Sequence, residues 1–406
     1  MVGHMRNFDW KIFILLICLL IFGVISIYSA SSRKIGTDIQ TQDYYLKQIC
    51  WIIISIILLF ILLRIPYAVI DLIIIPAYII TILLLIIVLF MPEIKGSQRW
   101  IILGPIHFQP SELAKLVTIM LVSKIISKPH LTGWKIISRS FPVVLLPTFL
   151  ILLEPDLGTA LILIVSLFII LAVSELSGFY LILIISPILS IITSFSPIFF
   201  IIYIILLILI LYKINLSKIV IGFTAVVNIF FFFITPVFWN SLKEYQQNRI
   251  LSFINPMRDP FGSGYQIIQA KIAIGSGGLL GKGFLAGTQK NLNFLPEHHT
   301  DFIFSVIGEE FGFLGCMFLL LLLFLFLYFI VRKIALFKRK EYKYTVVGIL
   351  AYFAFQIFIN VGMNIGIMPT TGIPLPFISY GGSNLFINIL SVGIILKYLT
   401  IRSIFK

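Results

Sequence analysis

The sequence is poor in charge and in cysteine. Only 11% of its 406 residues are charged, whereas 60% are hydrophobic, and the mean hydropathy is +1.11. A water-soluble fold cannot bury that much apolar surface, so a soluble globular protein is excluded. The three cysteines, Cys18, Cys50 and Cys316, are far apart and contain no CxxC pair. Their spacing suits no metal site and predicts a role in packing.

Long apolar runs dominate the chain. Because a membrane span needs roughly 20 residues, we predict an all-α polytopic membrane protein, a bundle of about ten to twelve transmembrane helices. The lower number applies if short runs pair into broken or re-entrant helices, and Pro187 and Pro197 interrupt the seventh and eighth runs. The first run reads as a retained span, not a signal peptide. The runs lie near 12–30, 48–64, 68–91, 111–127, 139–153, 157–173, 178–195, 197–212, 218–239, 302–332, 344–366 and 384–401.

The formal net charge of +14 is carried largely by Lys and Arg in short loops between these runs. Such charge is retained on the cytoplasmic side, next to anionic membrane lipid, so it indicates topology and no nucleic-acid partner. With the basic cluster 332–343 inside, both termini are cytoplasmic. The segment 240–301 then becomes one long, structured extracellular loop within a single transmembrane domain, 1–406.

The first polar cluster is Gln109-Pro-Ser-Glu-Leu-Ala-Lys115. Pro110 and Ser111 are signals for the start of a helix, so Glu112 and Lys115 fall on one face of its first turn. One interpretation is a purely structural ion pair. We favour the other, in which ionisable residues within a span mark a cavity or pathway.

The second cluster is Glu154-Pro-Asp156, between two apolar runs. Asp156 is well placed to cap the following helix, and capping alone would explain it. It would also project toward the same outer vestibule as Glu112, so cap and site stay open as alternatives.

The long outer loop supplies the cations Arg249, Lys271 and Lys282 and a glycine-rich stretch, 275–283. Glycines allow tight turns and close approach of the backbone to a ligand. The stretch matches neither a P-loop nor a dinucleotide fingerprint, so ATP binding is not expected.

Asp301 closes this loop and opens an apolar run of some thirty residues, beside Glu297 and His299. It could be a carboxylate favoured by the helix dipole, with Thr300 as the cap. It could equally be a general base in a partly desolvated pocket. A last motif, Pro374-Leu-Pro-Phe-Ile-Ser-Tyr-Gly-Gly-Ser383, predicts irregular backbone lining a cavity, with Ser379 as a candidate binding residue.

Together, six motifs in this order resemble the shape, elongation, division and sporulation (SEDS) family over nearly the whole chain. They are GSQRW, QPSELAK, EPDLGTA, DPFGSGYQ, LPEHHTDFIFSVIGEE and GIPLPFISYGGS. IIQAKIAIGSGG and GTQKNLNFLPE are most similar to the elongation members. Residues 178–212 depart from the family pattern and look like an extra apolar hairpin.

The resemblance implies a peptidoglycan glycosyltransferase that polymerises lipid II into glycan strands outside the bacterial cytoplasmic membrane during elongation. It implies as partners a class B penicillin-binding transpeptidase and other elongation-complex proteins. The essential aspartate of the family falls on Asp301 and its loop tryptophan on Trp100. Glu112, Lys115 and Asp156 match further family positions.

The implied reaction transfers a sugar from a lipid pyrophosphate, already a good leaving group, to a sugar hydroxyl. It needs one base and cationic stabilisation of the departing phosphates. We predict Asp301 as the base, and Lys115, Arg249, Lys271 or Lys282 near the phosphates. The alternative to these cations is a divalent metal, Mg²⁺ or Mn²⁺, held by Glu112 and Asp156.

Two other functions fit the same sequence. A flippase for lipid-linked precursor would also need polar residues in its spans and broken helices. A non-catalytic scaffold for the transpeptidase would tolerate alanine at Asp301 and Glu112.

Overall fold

The computed structural model describes residues 8–35, 38–93, 97–104, 106–241, 247–248, 251–253, 255–258, 264–291 and 299–404. These residues form fourteen α-helices, one 3₁₀ turn (Pro256–Arg258) and two short β-hairpins. The helices are α1 Trp10–Ser31, α2 Tyr44–Arg64, α3 Tyr67–Val88, α4 Pro110–Ile126, α5 Trp134–Leu153, α6 Leu157–Val173, α7 Gly178–Thr193, α8 Pro197–Lys213, α9 Lys218–Ser241, α10 Tyr265–Gly277, α11 Thr288–Asn291, α12 Ile303–Ile334, α13 Lys340–Ile365 and α14 Gly382–Ile404.

The hairpins fill the loops after α1 and α3. Strands β1 (Ser32–Ile35) and β2 (Asp38–Thr41) are antiparallel, as are β3 (Ile101–Leu103) and β4 (Ile106–Phe108). They were not predicted from the sequence.

Twelve helices, α1–α9 and α12–α14, coincide with the twelve apolar runs. Among the described residues, eight helices are long and apolar enough to cross a membrane, whereas α6, α7 and α8 are apolar but shorter. Large apolar side chains are exposed on their outer faces, including Leu72 at 74% and Ile198 at 70%. Water would not tolerate such faces, but lipid covers them. The predicted polytopic helical membrane fold is confirmed.

The helix ends follow local sequence signals. Pro110 and Pro197 occupy the first turns of α4 and α8, where the missing N–H costs nothing. Asp9 caps α1 through a hydrogen bond from the Ile12 amide. Pro187, predicted to interrupt its run, lies inside a continuous α7.

Two helices form the centre of the bundle. In their spans, 72% of the residues of α13 and 83% of those of α14 are buried. α13 packs on α4 and α6, and α14 packs on α2. Their polar side chains Gln356, Asn360, Asn364 and Asn388 are fully buried in protein.

Helices α7, α8 and α9 pack mainly on one another and meet the rest of the bundle chiefly through α6 and α7. Their shared interface contains a polar network centred on the fully buried Asn228. Its amide donates to Ser186 Oγ at 3.1 Å, and its backbone carbonyl accepts from Ser190 Oγ at 2.7 Å. The Tyr203 hydroxyl donates to the Ser186 carbonyl at 2.6 Å. Between apolar helices in lipid, such contacts fix how the helices pair.

Helix α12 is broken at Gly312, which has φ +65° and ψ −163°. The glycine-rich loop after α10 completes its hydrogen bonds: the Lys282 and Gly283 amides donate to the Glu309 and Glu310 carbonyls at 2.9 and 3.0 Å. On the other side of the break, the Phe313 amide donates to the Gly278 carbonyl at 2.9 Å. The glycines of the loop therefore approach the backbone of α12.

Candidate active site

Four helices, α4, α6, α12 and α14, begin around one cavity of about 360 Å³ at one end of the bundle. The lining residues are Ser97, Arg99, Trp100, Gln109, Glu112, Pro155, Asp156, Thr159, Ile162, Thr300, Asp301, Gln356, Thr371, Gly372, Ile373, Pro374, Tyr380, Gly381 and Asn384. Helix N-termini carry partial positive charge, which stabilises carboxylates and attracts anions. The folding pattern thus suits a site that contains acids and receives a negatively charged group.

Asp301 lies two residues before α12, whose N-cap position is Phe302 without a side-chain capping bond. The alternative in which Thr300 caps this helix is therefore contradicted. The backbone carbonyl of Asp301 accepts hydrogen bonds from the amides of Asn360 and Asn364 at 2.9 and 3.0 Å. Because both asparagines belong to the central helix α13, they fix Asp301 against the core.

The loop before α14 passes directly against the Asp301 carboxylate. Gly372 has φ +74°, and a Cβ added there would lie 3.5 Å from Asp301 Oδ2. The left-handed backbone favours glycine here, whereas a Cβ would make only an ordinary van der Waals contact with the carboxylate.

Ser379 anchors the residues that precede Asp301. Its hydroxyl donates to the Thr300 carbonyl at 2.6 Å and accepts from the Leu375 amide at 2.8 Å. It is buried and lies outside the cavity lining, as does His299, whose ring stacks on Tyr44 at 4.4 Å. Tyr380 does line the cavity, and burial raises the pKa of its hydroxyl, with a smaller contribution from Tyr44.

Glu112 and Lys115 form the predicted ion pair in the first turn of α4, with Nζ 2.7 Å from Oε2. Glu112 lines the cavity, but the fully buried Lys115 does not. The ammonium of Lys115 instead lies 5.3 Å from the centre of the Tyr352 ring. Asn384 donates to the same oxygen, Oε2, at 2.8 Å and accepts a hydrogen bond from Asn388.

Asp156 satisfies both interpretations that the sequence left open. It caps α6, accepting from the Thr159 amide at 3.2 Å and its hydroxyl at 2.9 Å, and it lines the cavity. The side chain of Gln109 donates to the same carboxylate at 3.2 Å.

Glu154 is fully buried beside Asp156, and neither of its carboxylate oxygens has a hydrogen-bond partner in the described structure. Burial, reinforced by the charge of Asp156, raises the pKa of Glu154 to about 9, although Arg99 opposes the shift. The Arg99 guanidinium donates to the backbone carbonyls of Glu154, at 3.1 Å, and Pro155. Arg99 and Trp100 therefore join the cavity from the loop after α3.

Two cations proposed for phosphate binding lie elsewhere. Lys282 Nζ is paired with Glu309 Oε1 at 2.7 Å, beside the break in α12. Lys271 packs against Gly366 at the end of α13. Arg249 and Glu297 are outside the described residues. Within the described lining, Arg99 is the single Lys or Arg side chain.

Several lining residues were not singled out from the sequence: Arg99, Gln109, Gln356, Thr371 and Asn384. Gln356 is fully buried, and neither atom of its amide is hydrogen-bonded within the described part of the chain. Gln356, Asn360 and Asn364 recur every four residues in an apolar run, which places them on one helix face. That spacing could have identified this face from the sequence.

The possible cation site at Glu112 and Asp156 stays a prediction. Both carboxylates line the cavity, but Glu112 already binds Lys115 and Asn384, and Asp156 binds Thr159 and Gln109. Among the described residues, no group of three or more His, Cys, Asp or Glu side chains could hold a metal ion.

Fold and site together define a polytopic helical membrane protein with a buried acidic cavity at one end of its bundle. The family model FTSW_RODA_SPOVE, described as "Cell cycle protein", matches residues 9–203 and 196–403, and the chain belongs to this family. The predicted SEDS relationship is confirmed. The two matched segments meet in α8, within the stretch where the sequence departs from the family pattern.

Curated relatives match at nearly full length. The peptidoglycan glycosyltransferase MrdB of Escherichia coli K12 is 34% identical over 405 residues, which cover 98% of this chain and 94% of the relative. The peptidoglycan glycosyltransferase RodA of Treponema pallidum is 31% identical over 438 residues, covering 98% of each chain.

Solved structures share the fold. A chain from work on how a peptidoglycan synthase complex coordinates polymerization and crosslinking superposes with a TM-score of 0.71 at 27% identity. The match covers 97% of this chain and 98% of that chain. The rod shape determining protein RodA of Thermus thermophilus gives a TM-score of 0.63 at 24% identity, covering 97% of each chain.

Proposed function

We propose that this protein is a peptidoglycan glycosyltransferase that polymerises lipid II into glycan strands during cell-wall elongation. The relatives MrdB and RodA are named peptidoglycan glycosyltransferases, which supports the proposal. The observation that carries the proposal is that Asp301 shares one cavity with Glu112, Asp156 and Trp100, where four helices begin.

Asp301 acts as the general base. Its carboxylate takes the proton of an acceptor sugar hydroxyl as that oxygen forms a bond to the anomeric carbon of the donor sugar. The bond between that carbon and the lipid pyrophosphate breaks, and the pyrophosphate leaves with the electron pair. General base catalysis of this kind contributes about 10² to 10⁴ in rate.

The departing pyrophosphate is stabilised by positive charge fixed around the cavity. Arg99 is held in place by the carbonyls of Glu154 and Pro155, and four helix N-termini point their amides at the same space. Lys115, which is buried outside the cavity lining, neutralises the charge of Glu112 and so reduces repulsion between the acidic lining and the phosphates. A divalent cation at Glu112 and Asp156 would supply further charge, and chelation of the purified protein tests for it.

The amides of the lining provide hydrogen bonds to the sugar and peptide groups of the substrate. Gln356 supports this role because its buried amide lines the cavity and has no hydrogen-bond partner among the described residues. A buried amide that is satisfied only on substrate binding contributes to affinity and specificity.

The protein spans a bacterial inner membrane with its cavity facing outward and both termini on the cytoplasmic side. α1 and α12 run antiparallel: Ser29 contacts Glu310 toward the cavity end, and Asp9 pairs with Lys333 at the other. That other end includes the basic cluster 332–343, which the positive-inside rule keeps in the cytoplasm. The whole chain forms one domain, with 240–301 as the outer loop.

A class B penicillin-binding transpeptidase crosslinks the strands that this protein makes. The similarity to a chain from a peptidoglycan synthase complex that coordinates polymerization and crosslinking supports such a partner. Other elongation proteins would join the same assembly.

The test is polymerisation by the purified chain in detergent, with lipid II as the only substrate and glycan strands resolved on a gel. A polymerase yields strands in detergent, whereas a flippase or a scaffold yields none because neither forms glycosidic bonds. Asp71→Asn is a control variant that should still make strands, since Asp71 pairs with Lys124 and does not line the cavity. Absence of strands from both the unmodified protein and Asp71→Asn would refute the proposal.

A further inference from the structure

A second cavity, of about 680 Å³, opens at the end of the bundle opposite Asp301. It lies between the start of α1 and the end of α12. Its lining combines three cations, one carboxylate and several apolar side chains: Phe8, Asp9, Trp10, Lys11, Phe329, Arg332, Lys333 and Leu336. The volume lies within the range of about 300 to 1,000 Å³ usual for small-molecule sites.

The single carboxylate is already engaged. Asp9 pairs with Lys333 and also accepts a hydrogen bond from the Ile12 amide at 3.4 Å, so it ties α1 to α12. Lys11 and Arg332 are exposed, and within the described structure neither is paired with a carboxylate. The three cations and one carboxylate thus leave the cavity with two uncompensated positive charges.

Both free cations lie against aromatic faces. Lys11 Nζ is 5.8 Å from the centre of the Phe329 ring, and the Arg332 guanidinium is 5.7 Å from that of Tyr328. Such contacts hold a cation in place and leave its N–H groups available to an anion. An anion entering here would meet two oriented donors.

The cavity is continuous with lipid-facing surface. Trp10 is 53% exposed at its rim, and Ile14 on α1 and Val331 on α12 are 55% and 52% exposed beyond it. Trp and basic side chains together are typical of the membrane interface. Free phosphate would use only the cations, whereas a lipid would use both the cations and the apolar surface.

We propose that this cavity binds the phosphate headgroup of an anionic phospholipid of the cytoplasmic leaflet. Lys11 and Arg332 contact the phosphate, and the acyl chains lie along the exposed faces of α1 and α12. Basic pockets between helices on the cytoplasmic side favour such lipids. The inference is independent of the reaction proposed for the opposite end.

The test compares lipid binding by the detergent-purified protein and by the double variant Lys11→Gln/Arg332→Gln. Bound phosphatidylglycerol and phosphatidylcholine are counted by native mass spectrometry across a titration. Since each basic residue contributes about 1 kcal/mol near an anionic surface, the variant should bind phosphatidylglycerol about 30-fold more weakly. Binding of phosphatidylcholine should be weak and unchanged.

The matched control is Lys128→Gln/Lys338→Gln, which removes two exposed cations from the same end but outside the cavity. It should bind phosphatidylglycerol like the unmodified protein. If both double variants lost phosphatidylglycerol binding equally, the attraction would be a general effect of positive charge. If Lys11→Gln/Arg332→Gln lost none, the lipid would bind elsewhere. Either result would overturn the proposal. Both variants change exposed side chains, so an unchanged unfolding temperature confirms that each folds.

A second measurement distinguishes lipid from free phosphate. Brominated phosphatidylglycerol should quench tryptophan fluorescence, and Trp10→Phe should reduce that quenching, whereas Trp134→Phe, which changes an exposed tryptophan outside the cavity, should leave the contribution of Trp10 in place. An excess of inorganic phosphate should leave the quenching unchanged. Displacement of the lipid by phosphate would overturn the assignment and leave a site for a free anion.

Discussion

Replacing Glu112 with glutamine should leave the buried positive charge of Lys115 without a counter-charge. Lys115 is 0% exposed, lies 2.7 Å from Glu112 and does not reach the cavity, so its ammonium has no access to solvent there. Removing one partner of a buried ion pair costs about 3 to 5 kcal/mol, because the other charge is left uncompensated. We expect Glu112→Gln to be destabilised by that amount.

The reverse change should cost less. Lys115→Met leaves a carboxylate that still accepts from Asn384 at 2.8 Å and lines the cavity, where water can solvate it. In the double variant Glu112→Gln/Lys115→Met no charge remains buried, so most of the stability should return. Its polymerisation should nevertheless stay low if Glu112 contacts substrate.

The stabilities of these variants are compared by thermal unfolding in detergent, monitored through tryptophan fluorescence. The expected order of midpoints places the unmodified protein highest, the double variant and Lys115→Met next, and Glu112→Gln lowest. If Glu112→Gln were only as stable as the double variant, removing the ammonium of Lys115 would restore no stability, so Glu112→Gln would contain no destabilising buried charge. The account of Lys115 as a counter-charge would then be refuted.

Three further predictions follow from the surroundings of the cavity. Asn364→Ala removes a hydrogen bond to the Asp301 carbonyl and should lower the polymerisation rate by about 10- to 100-fold through misplacement, measured as kcat with substrate affinity retained. Gly372→Ala forces an alanine to φ +74° in the loop beside Asp301, at a cost of about 1 to 2 kcal/mol, so unfolding temperature and glycan yield should both fall. Burial raises the pKa of Glu154 from 4.5 to about 9. Stability from its protonated form should be complete at acid pH and be lost as pH rises through that interval, whereas Glu154→Gln should flatten the pH profile of unfolding.

Features set by local sequence were predictable. Apolar runs gave the positions of the helices, and Pro110 gave the start of α4, which placed Glu112 and Lys115 on one face. Asp156 was recognised as a cap from its neighbours alone. These features depend on residues a few positions apart, so no knowledge of the tertiary fold was needed.

Features that depend on contacts between residues far apart in the sequence were not predictable. Lys282 is paired with Glu309 because the loop after α10 inserts at the break in α12. The same insertion explains the glycines, which were expected to approach a ligand. Arg99 lines the cavity while its guanidinium binds the backbone carbonyls of Glu154 and Pro155, which are distant in sequence. No pattern among neighbouring residues predicts the contact of Lys282 with Glu309 or that of Arg99 with Glu154.

The alternative in which Thr300 caps α12 failed for a different reason. The chain stays irregular through Phe302, because the carbonyl of Asp301 is bound by Asn360 and Asn364 from α13. Tertiary hydrogen bonds therefore override the local preference of Thr300 for a capping position.

The most direct test of the account is the rate of glycan synthesis by purified Asp301→Asn given lipid II in detergent, beside the unmodified protein. Asparagine keeps the size of the side chain and loses the capacity to accept the proton. A rate lower by about 10² to 10⁴, with unfolding temperature preserved, is the predicted result. A rate close to that of the unmodified protein would contradict the assignment of Asp301 as the base.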